Sequence, residues 1–208
     1  MSFFENTRKP VGLGGKIMVA MMNLGHSPVA QWGLQFLNVA PDAKVLDCGC
    51  GGGANMKRLL KKCPQGVVKG IDYSPVSVER ARSLNRAAIQ EGRCVVWQGS
   101  VERIIFAKDW FDAVTAFETV YFWPDLPRCF QEVYRVLKPG GTFCGCFYVK
   151  GEHKRTDWFV RHVYEKAGFF TPPYETVSSL KARLEGMSAD VDMGNLKSMA
   201  WFNCRKAG

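Results

Sequence analysis

Nine residues, Val45-Leu46-Asp47-Cys48-Gly49-Cys50-Gly51-Gly52-Gly53, constrain this chain more than any other stretch. An apolar run enters a glycine loop, and a segment of helical composition, Ala54 to Lys62, leaves it. Glycine adopts backbone angles that other residues resist and lets a ligand come close to the main chain. Gly49, Gly51 and Gly53 fit G-x-G-x-G, while Gly49, Gly51 and Ala54 fit the G-x-G-x-x-A dinucleotide pattern. The loop by itself therefore leaves its ligand open. Asp47 stands two residues before the first glycine, where a carboxylate can meet an ammonium group and would repel a pyrophosphate. Asp72 follows 23 residues after Gly49 and can accept hydrogen bonds from both hydroxyls of a ribose. That second feature suits either kind of cofactor.

The strand–helix alternation continues. Val67–Ile71 reads as a second strand ending at Asp72. Ser74-Pro75 is a helix cap followed by proline at the first helical position, and this helix is predicted to run to about Glu91. Cys94–Gln98 and Phe111–Phe117 read as the third and fourth strands. Asp125 caps a helix with Phe130, Val133, Tyr134 and Leu137 at i, i+3, i+4 and i+7, one buried face. Lys138-Pro139-Gly140-Gly141 ends it, and Thr142–Val149 is the fifth strand. The alternation predicts an α/β, doubly wound parallel sheet with helices on both faces, and ligands at the carboxyl ends of its strands. The last part differs. Helices are predicted at about 157–166 and 179–184, then strands at about 189–196 and 198–204 as a hairpin. Before the first strand, Ser27-Pro28 starts a helix with a stripe of Val29, Trp32, Phe36 and Leu37. It covers a sheet edge, closes over the ligand as a lid, or does both.

With 208 residues and 47% apolar side chains, the chain buries a full core as a single domain. No stretch reaches the roughly 20 apolar residues that a bilayer span needs. The run Ile17–Gly25 is too short, and no cleavage site follows it, so a cytoplasmic location is expected. The net charge of +9 is dispersed, at +2 over residues 1–44, +5 over 45–150 and +2 over 151–208. The densest cluster, Lys57, Arg58, Lys61 and Lys62, reads as a solvated helix face. Dispersed charge speaks against a nucleic-acid partner. None of the 8 cysteines forms a C-x-x-C pair, so they read as reduced, buried apolar side chains and no metal site is expected.

The order VLDCGCGGG, GIDYS and FDAVTAFETVYFWPDLPRCFQEVYRVLKPGG resembles the class I S-adenosylmethionine-dependent methyltransferases. The small-molecule group related to the ubiquinone-biosynthesis methyltransferases is most similar, over about residues 44–149. The resemblance implies a Rossmann-like, mostly parallel seven-stranded sheet with a C-terminal antiparallel hairpin. It implies a single domain in three parts: an N-terminal helical lid segment (1–43), a cofactor-binding core (44–149) and a substrate-side cap with the last strands (150–208). The implied cofactor is S-adenosylmethionine, with S-adenosylhomocysteine as product. Asp47, Gly49, Cys50 and Gly51 would line its methionine part. Asp72 would hold the ribose hydroxyls, and Tyr73 would flank the adenine. Gly99, Ser100 and Val101 would lie along the adenine edge, with Ser100 standing where relatives often carry an acid. Phe117 would border the methyl group, and ordinary core packing is the alternative for Phe117 and Val101.

Methyl transfer from a sulfonium is an in-line displacement, so alignment matters most and a base is needed only for a protonated acceptor. Few marked catalytic residues are therefore expected. Glu118, Tyr121 and Trp123 follow the fourth strand, at the expected mouth of the site. His26 precedes the first helix, His153 follows the fifth strand, and His162 falls in a predicted helix. Glu118, Tyr121 and His26 are the candidates to face the acceptor. Relatives that methylate exocyclic amines of bases carry Asn/Asp-Pro-Pro-Tyr here, and this chain has Glu118-Thr119-Val120-Tyr121. The aromatics from Phe147 to Tyr174 line an apolar substrate pocket or the core of a cap. A small-molecule acceptor is the leading expectation. An RNA or protein methyltransferase, or a non-catalytic cofactor-binding protein, is the alternative.

Overall fold

The computed structural model describes residues 27–148, 154, 158, 181–182, 185, 190–196 and 199–207. Helix α1 (Ser27–Gly33) precedes strand β1 (Lys44–Cys48), helix α2 (Ala54–Lys62) and strand β2 (Val67–Asp72). Then come α3 (Pro75–Leu84), α4 (Arg86–Gln90), β3 (Cys94–Gln98) and β4 (Phe111–Phe117). Helix α5 (Leu126–Val136) leads directly into β5 (Leu137–Tyr148), and β6 (Asp190–Leu196) and β7 (Met199–Arg205) complete the sheet.

The strand order is β3-β2-β1-β4-β5-β7-β6. The first five strands run parallel, while β7 lies antiparallel to both β5 and β6. This is the expected doubly wound sheet with a terminal hairpin. β1 is an interior strand with apolar residues on both faces. Val45 joins a core with Leu34, Leu37, Met56, Leu59, Val78 and Ala81. Leu46 joins the opposite core with Phe130, Val133, Val136, Phe143 and Phe202. The chain order reverses beside β1, with β2 on one side and β4 on the other, and this is where such sheets open a crevice.

Local chemistry sets the helix starts. Ser74 Oγ accepts the Ser77 N–H at 3.3 Å, and Asp125 Oδ1 accepts the Arg128 N–H at 3.1 Å. The expected single helix to Glu91 breaks at Asn85. The amide there donates to Ala81 O at 2.9 Å and to Gly53 O at 3.1 Å, which ties the end of α3 to the glycine loop. In α5 the buried side is Cys129, Phe130, Val133 and Val136, and Leu137 already belongs to β5. The Lys138–Gly141 stretch bulges, as the register passes from Phe111↔Leu137 to Ala113↔Thr142.

No α-helix crosses from β3 to β4; a single 3-10 turn, Val101–Arg103, takes its place. Arg135 pins the segment that follows, donating to Ile104 O at 2.7 Å and Phe106 O at 2.9 Å. β3 is the outer strand on that side, and Arg82 donates to Val96 O through Nε at 3.1 Å and Nη2 at 2.7 Å.

At the other side of the sheet, Phe36 stacks on Trp201 with centroids 4.0 Å apart and planes at 4°. Asn203 Nδ2 donates to Phe36 O at 2.8 Å. Ala30, Leu34 and Leu37 are buried, whereas Val29, Trp32 and Phe36 of the expected stripe are half-buried. The helix stops at Gly33, where a Cβ would press on Phe117 Cε1 and on Cys146 Cβ, and the side chains after it leave the helical stripe. The predicted helices at about 157–166 and 179–184 lie outside the described residues, apart from isolated positions. No helix among the described residues is long and apolar enough to cross a membrane.

Candidate functional site

The glycine loop sits at the carboxyl end of β1, beside the ends of β2 and β4. Gly49 N–H and Cys50 N–H both donate to Ile71 O, at 2.8 and 3.1 Å, which draws the loop toward β2. Gly49, Gly51 and Gly53 have φ of 71°, 51° and 80°, a region other residues resist. A Cβ on Gly51 would meet nothing within 4 Å, so the loop presents open main chain at that point.

Asp47 is 2% exposed. Thr115, its register partner on β4, donates its hydroxyl to Asp47 Oδ1 at 2.7 Å. Asn55 Nδ2, in the first turn of α2, lies 3.4 Å from the same oxygen. Asp47 Oδ2 is buried without a hydrogen-bond partner, and so is Asn55 Oδ1. Burial pushes the Asp47 carboxyl up to about 6. The Thr115 and Asn55 hydrogen bonds and the Arg58 charge pull the other way, and the Asp72 charge adds to the rise.

Asp72, at the end of β2, accepts Gly51 N–H on Oδ2 and Ser74 N–H on Oδ1, both at 2.9 Å. The carboxylate is therefore a clasp between the glycine loop and the start of α3. Burial raises its proton affinity, and those two backbone donors oppose the rise. Cys48 and Cys50 are buried, and burial pushes both thiols well above their ordinary range, so neither offers a thiolate.

The remaining expected positions cluster nearby. Tyr73 is exposed at 38% directly after Asp72. Gly99 N–H donates to Asp72 O at 2.9 Å. Ser100 Oγ accepts Glu102 N–H at 3.2 Å and donates to Glu102 Oε2 at 3.1 Å, so it caps the turn that follows. Val101 is part of the α5-side core. Phe117 is half-buried, packed against the other core and against Gly33.

Glu118 is a non-glycine residue at φ 57°, a strained conformation of the kind that gathers at functional sites. Its N–H donates to Cys146 O at 2.7 Å, which holds the end of β4 against β5. Tyr121 lies in the 3-10 turn Val120–Phe122. Trp123 is buried and donates its indole N–H to Thr119 Oγ1 at 3.3 Å, so it packs in the core rather than at the mouth. His26, His153 and His162 lie outside the described residues, as does most of the aromatic run after Phe147.

Sequence reading missed Asn55, Asn85, Thr115 and Thr119. Only the register of β1 with β4 brings Thr115 to Asp47, across 68 positions. The residues present fit a ligand with a cationic amino group at Asp47.

Known proteins agree with this geometry. The family described as a methyltransferase domain matches residues 46–145. Cycloartenol-C-24-methyltransferase 1 of Oryza sativa subsp. japonica is 37% identical over 107 residues, which is 51% of this chain and 31% of that protein. Botryococcene C-methyltransferase of Botryococcus braunii is 36% identical over 108 residues, 52% of this chain and 28% of that protein. The match thus spans about a third or less of the curated relatives' length. Among solved structures, a SAM-dependent methyltransferase from Aquifex aeolicus superposes with a TM-score of 0.65 at 18% identity, covering 85% of this chain and 88% of that one. The [4+2]-cyclase SpnF superposes with a TM-score of 0.70 at 16% identity, covering 86% and 81%. These two likenesses concern the fold. Motif order, strand order and family match agree that residues 46–145 are similar to the methyltransferase domain of class I S-adenosylmethionine-dependent methyltransferases.

Proposed function

We propose that the domain binds S-adenosylmethionine at the β1 and β2 ends and transfers its methyl group to a small-molecule acceptor. The observation that carries this reading is Asp47: a buried carboxylate with one unpartnered oxygen beside a glycine loop open at Gly51. A buried carboxylate left half-satisfied is costly in a protein without a cationic partner. An α-ammonium group supplies that partner.

The bound cofactor supplies an electrophilic methyl on a sulfonium whose leaving group is a neutral thioether. The chain's task is then position more than proton chemistry. Asp47 holds the amino group, Asp72 reaches the ribose while clasping Gly51, and Tyr73 flanks the base. Gly99, Ser100 and Val101 border the base edge. Phe117 and Glu118 edge the methyl position, and Tyr121 and His26 face the acceptor. Glu118 is the nearest carboxylate after β4 to take a proton that an acceptor sheds. The segment from Ser27 to Leu37 forms a wall of the site. Eight free, buried cysteines support a reducing, cytoplasmic setting. The relatives named above are carbon methyltransferases, which puts apolar olefins first among candidate acceptors.

Calorimetric titration with S-adenosylhomocysteine tests the cofactor. Micromolar binding, weakened at least about tenfold by Asp72→Ala (~1.4 kcal/mol), supports the reading. A folded wild type that binds nothing sinks it. The cyclase among the fold neighbours shows why turnover must be read as well: labelled methyl transfer to an olefin panel separates an enzyme from a binding protein.

A further inference from the structure

Asn55 does not cap the helix in which it stands. It is the second residue of α2, and the cap position before the helix is Gly53, with no side-chain cap bond. Asparagine in a helix weakens it unless the side chain caps a turn or bonds elsewhere. The contact of Nδ2 with Asp47 is long, at 3.4 Å, and Oδ1 is buried and unpartnered. Asp47 Oδ2 is likewise buried and unpartnered. One long hydrogen bond thus joins two side chains that each keep a buried acceptor without a partner.

Each buried acceptor left without a donor costs desolvation energy. A group with several N–H donors and a positive charge resolves both defects, and an alkylammonium has three such donors. We propose that Asn55 is a binding residue for the α-amino group of the cofactor, accepting one of its N–H bonds on Oδ1 beside Asp47 Oδ2, and that this pair makes the site select ligands with a protonated primary amine. This rests on the cofactor reading above. The groups that act on Asp47 beside Asn55 are the Thr115 hydroxyl of β4, the Asp72 carboxylate of β2 and the Arg58 charge one turn further along α2 itself. Thr115 occupies Asp47 Oδ1 and so leaves Oδ2 as the free face. An Asp47–Asn55 pair of this kind would discriminate by the presence of the amine, whereas Asp72 and the loop discriminate by the nucleoside.

The test compares two ligands by calorimetry at pH 7.5: S-adenosylhomocysteine, and its analogue lacking only the α-amino group. Asn55→Leu and Asn55→Ala are made, with circular dichroism and thermal unfolding to confirm the fold. The wild type is expected to prefer the amine-bearing ligand. Each variant is expected to lose about tenfold on that ligand, the loss of one charge-assisted hydrogen bond, and nothing on the analogue. Asn55→Asp, which keeps an acceptor, is expected to keep the preference. Equal losses on both ligands, or no loss on either, overturn the assignment of Asn55 and leave the cofactor reading standing. A folded wild type that binds neither ligand overturns both.

Discussion

Thr119 Oγ1 stands in the space that a Cβ on Gly49 would fill. The segment after β4 therefore packs directly onto the first glycine of the loop. Gly49 also has φ 71°. Gly49→Ala meets both obstacles, and a loss of about 2–4 kcal/mol of stability is expected. Thr119→Gly in the same background removes the clash and keeps the backbone strain. Denaturant unfolding of the four proteins in the cycle should show a favourable coupling of about 1 kcal/mol or more. Strict additivity would mean that the two residues do not press on each other.

The Asp47 carboxyl makes the ligand-free protein less stable as pH rises. Its proton affinity is raised from 3.8 to about 6 by burial. Between those values the folded chain keeps a proton that the unfolded chain has released. Stability therefore falls across pH 4 to 6, by about 3 kcal/mol from this group alone. Asp47→Asn removes the effect. Urea unfolding should find the variant close to wild type at pH 4 and more stable by about 1–3 kcal/mol at pH 7. A variant that is weaker at pH 7 contradicts the account.

Ligand affinity has the opposite slope. An ammonium partner needs the Asp47 carboxylate, and a protonated Asp47 offers it little. S-adenosylhomocysteine should bind about tenfold more tightly at pH 7 than at pH 5, as a group titrating at about 6 passes from mostly protonated to mostly ionised. Calorimetry in buffers of different ionisation heat should detect proton release on binding near pH 6. Asp47→Asn should bind weakly with a flat profile, and a steep profile in that variant would assign the titration to another group.

Asp72 serves the loop as well as any ribose. Asp72→Ala strands Gly51 N–H and Ser74 N–H. A loss of about 1–3 kcal/mol in unfolding free energy is expected from one buried and one half-buried donor. Asp72→Asn keeps one acceptor and should recover about half. If the alanine variant is as stable as wild type, the clasp contributes nothing and its effect on binding belongs to the ligand alone.

An aromatic stack helps to hold the described chain before β1, beside the Asn203–Phe36 hydrogen bond and buried Leu34 and Leu37. Trp201→Ala deletes the partner of Phe36 and uncovers Gly194, whose Cβ direction points at the Trp201 indole. A loss of about 3 kcal/mol is expected. Limited proteolysis read by mass spectrometry should place the first new cuts within residues 34–43. First cuts elsewhere would mean that this segment is held by Leu34 and Leu37 instead.

Much of the sheet was legible because its signals are local. Cys94–Gln98 and Phe111–Phe117 are short apolar runs between turn residues, and both form strands with those limits. Ser74 and Asp125 cap their helices because a side-chain oxygen three residues ahead of a free N–H needs no tertiary partner. What failed to show needs distant partners. The break at Asn85 depends on Gly53, 32 positions earlier. Lys138–Gly141, with its Pro and paired glycines, reads as a stop, yet it is a bulge inside β5: Leu137 and Thr142 pair with β4 on either side of it, and Gly140 and Gly141 bond to Lys206 just after β7. At the site, Asp47, Gly49 and Asp72 were visible as a motif. Thr115, Thr119 and Asn55 were not, because only strand register and loop packing bring them to it.

The guanidinium of Arg82 on the Val96 carbonyl has a consequence for how this molecule meets others. An open strand is a template on which a further chain can zip, and β3 is such a strand. Here the middle rung is already taken by two N–H groups of a cation. A newcomer at that border would have to evict a charged group from hydrogen bonds of 2.7 and 3.1 Å before its own first bond could form there. The outer border of β3 is thereby obstructed at its middle by one side chain, which disfavours the addition of a further strand there.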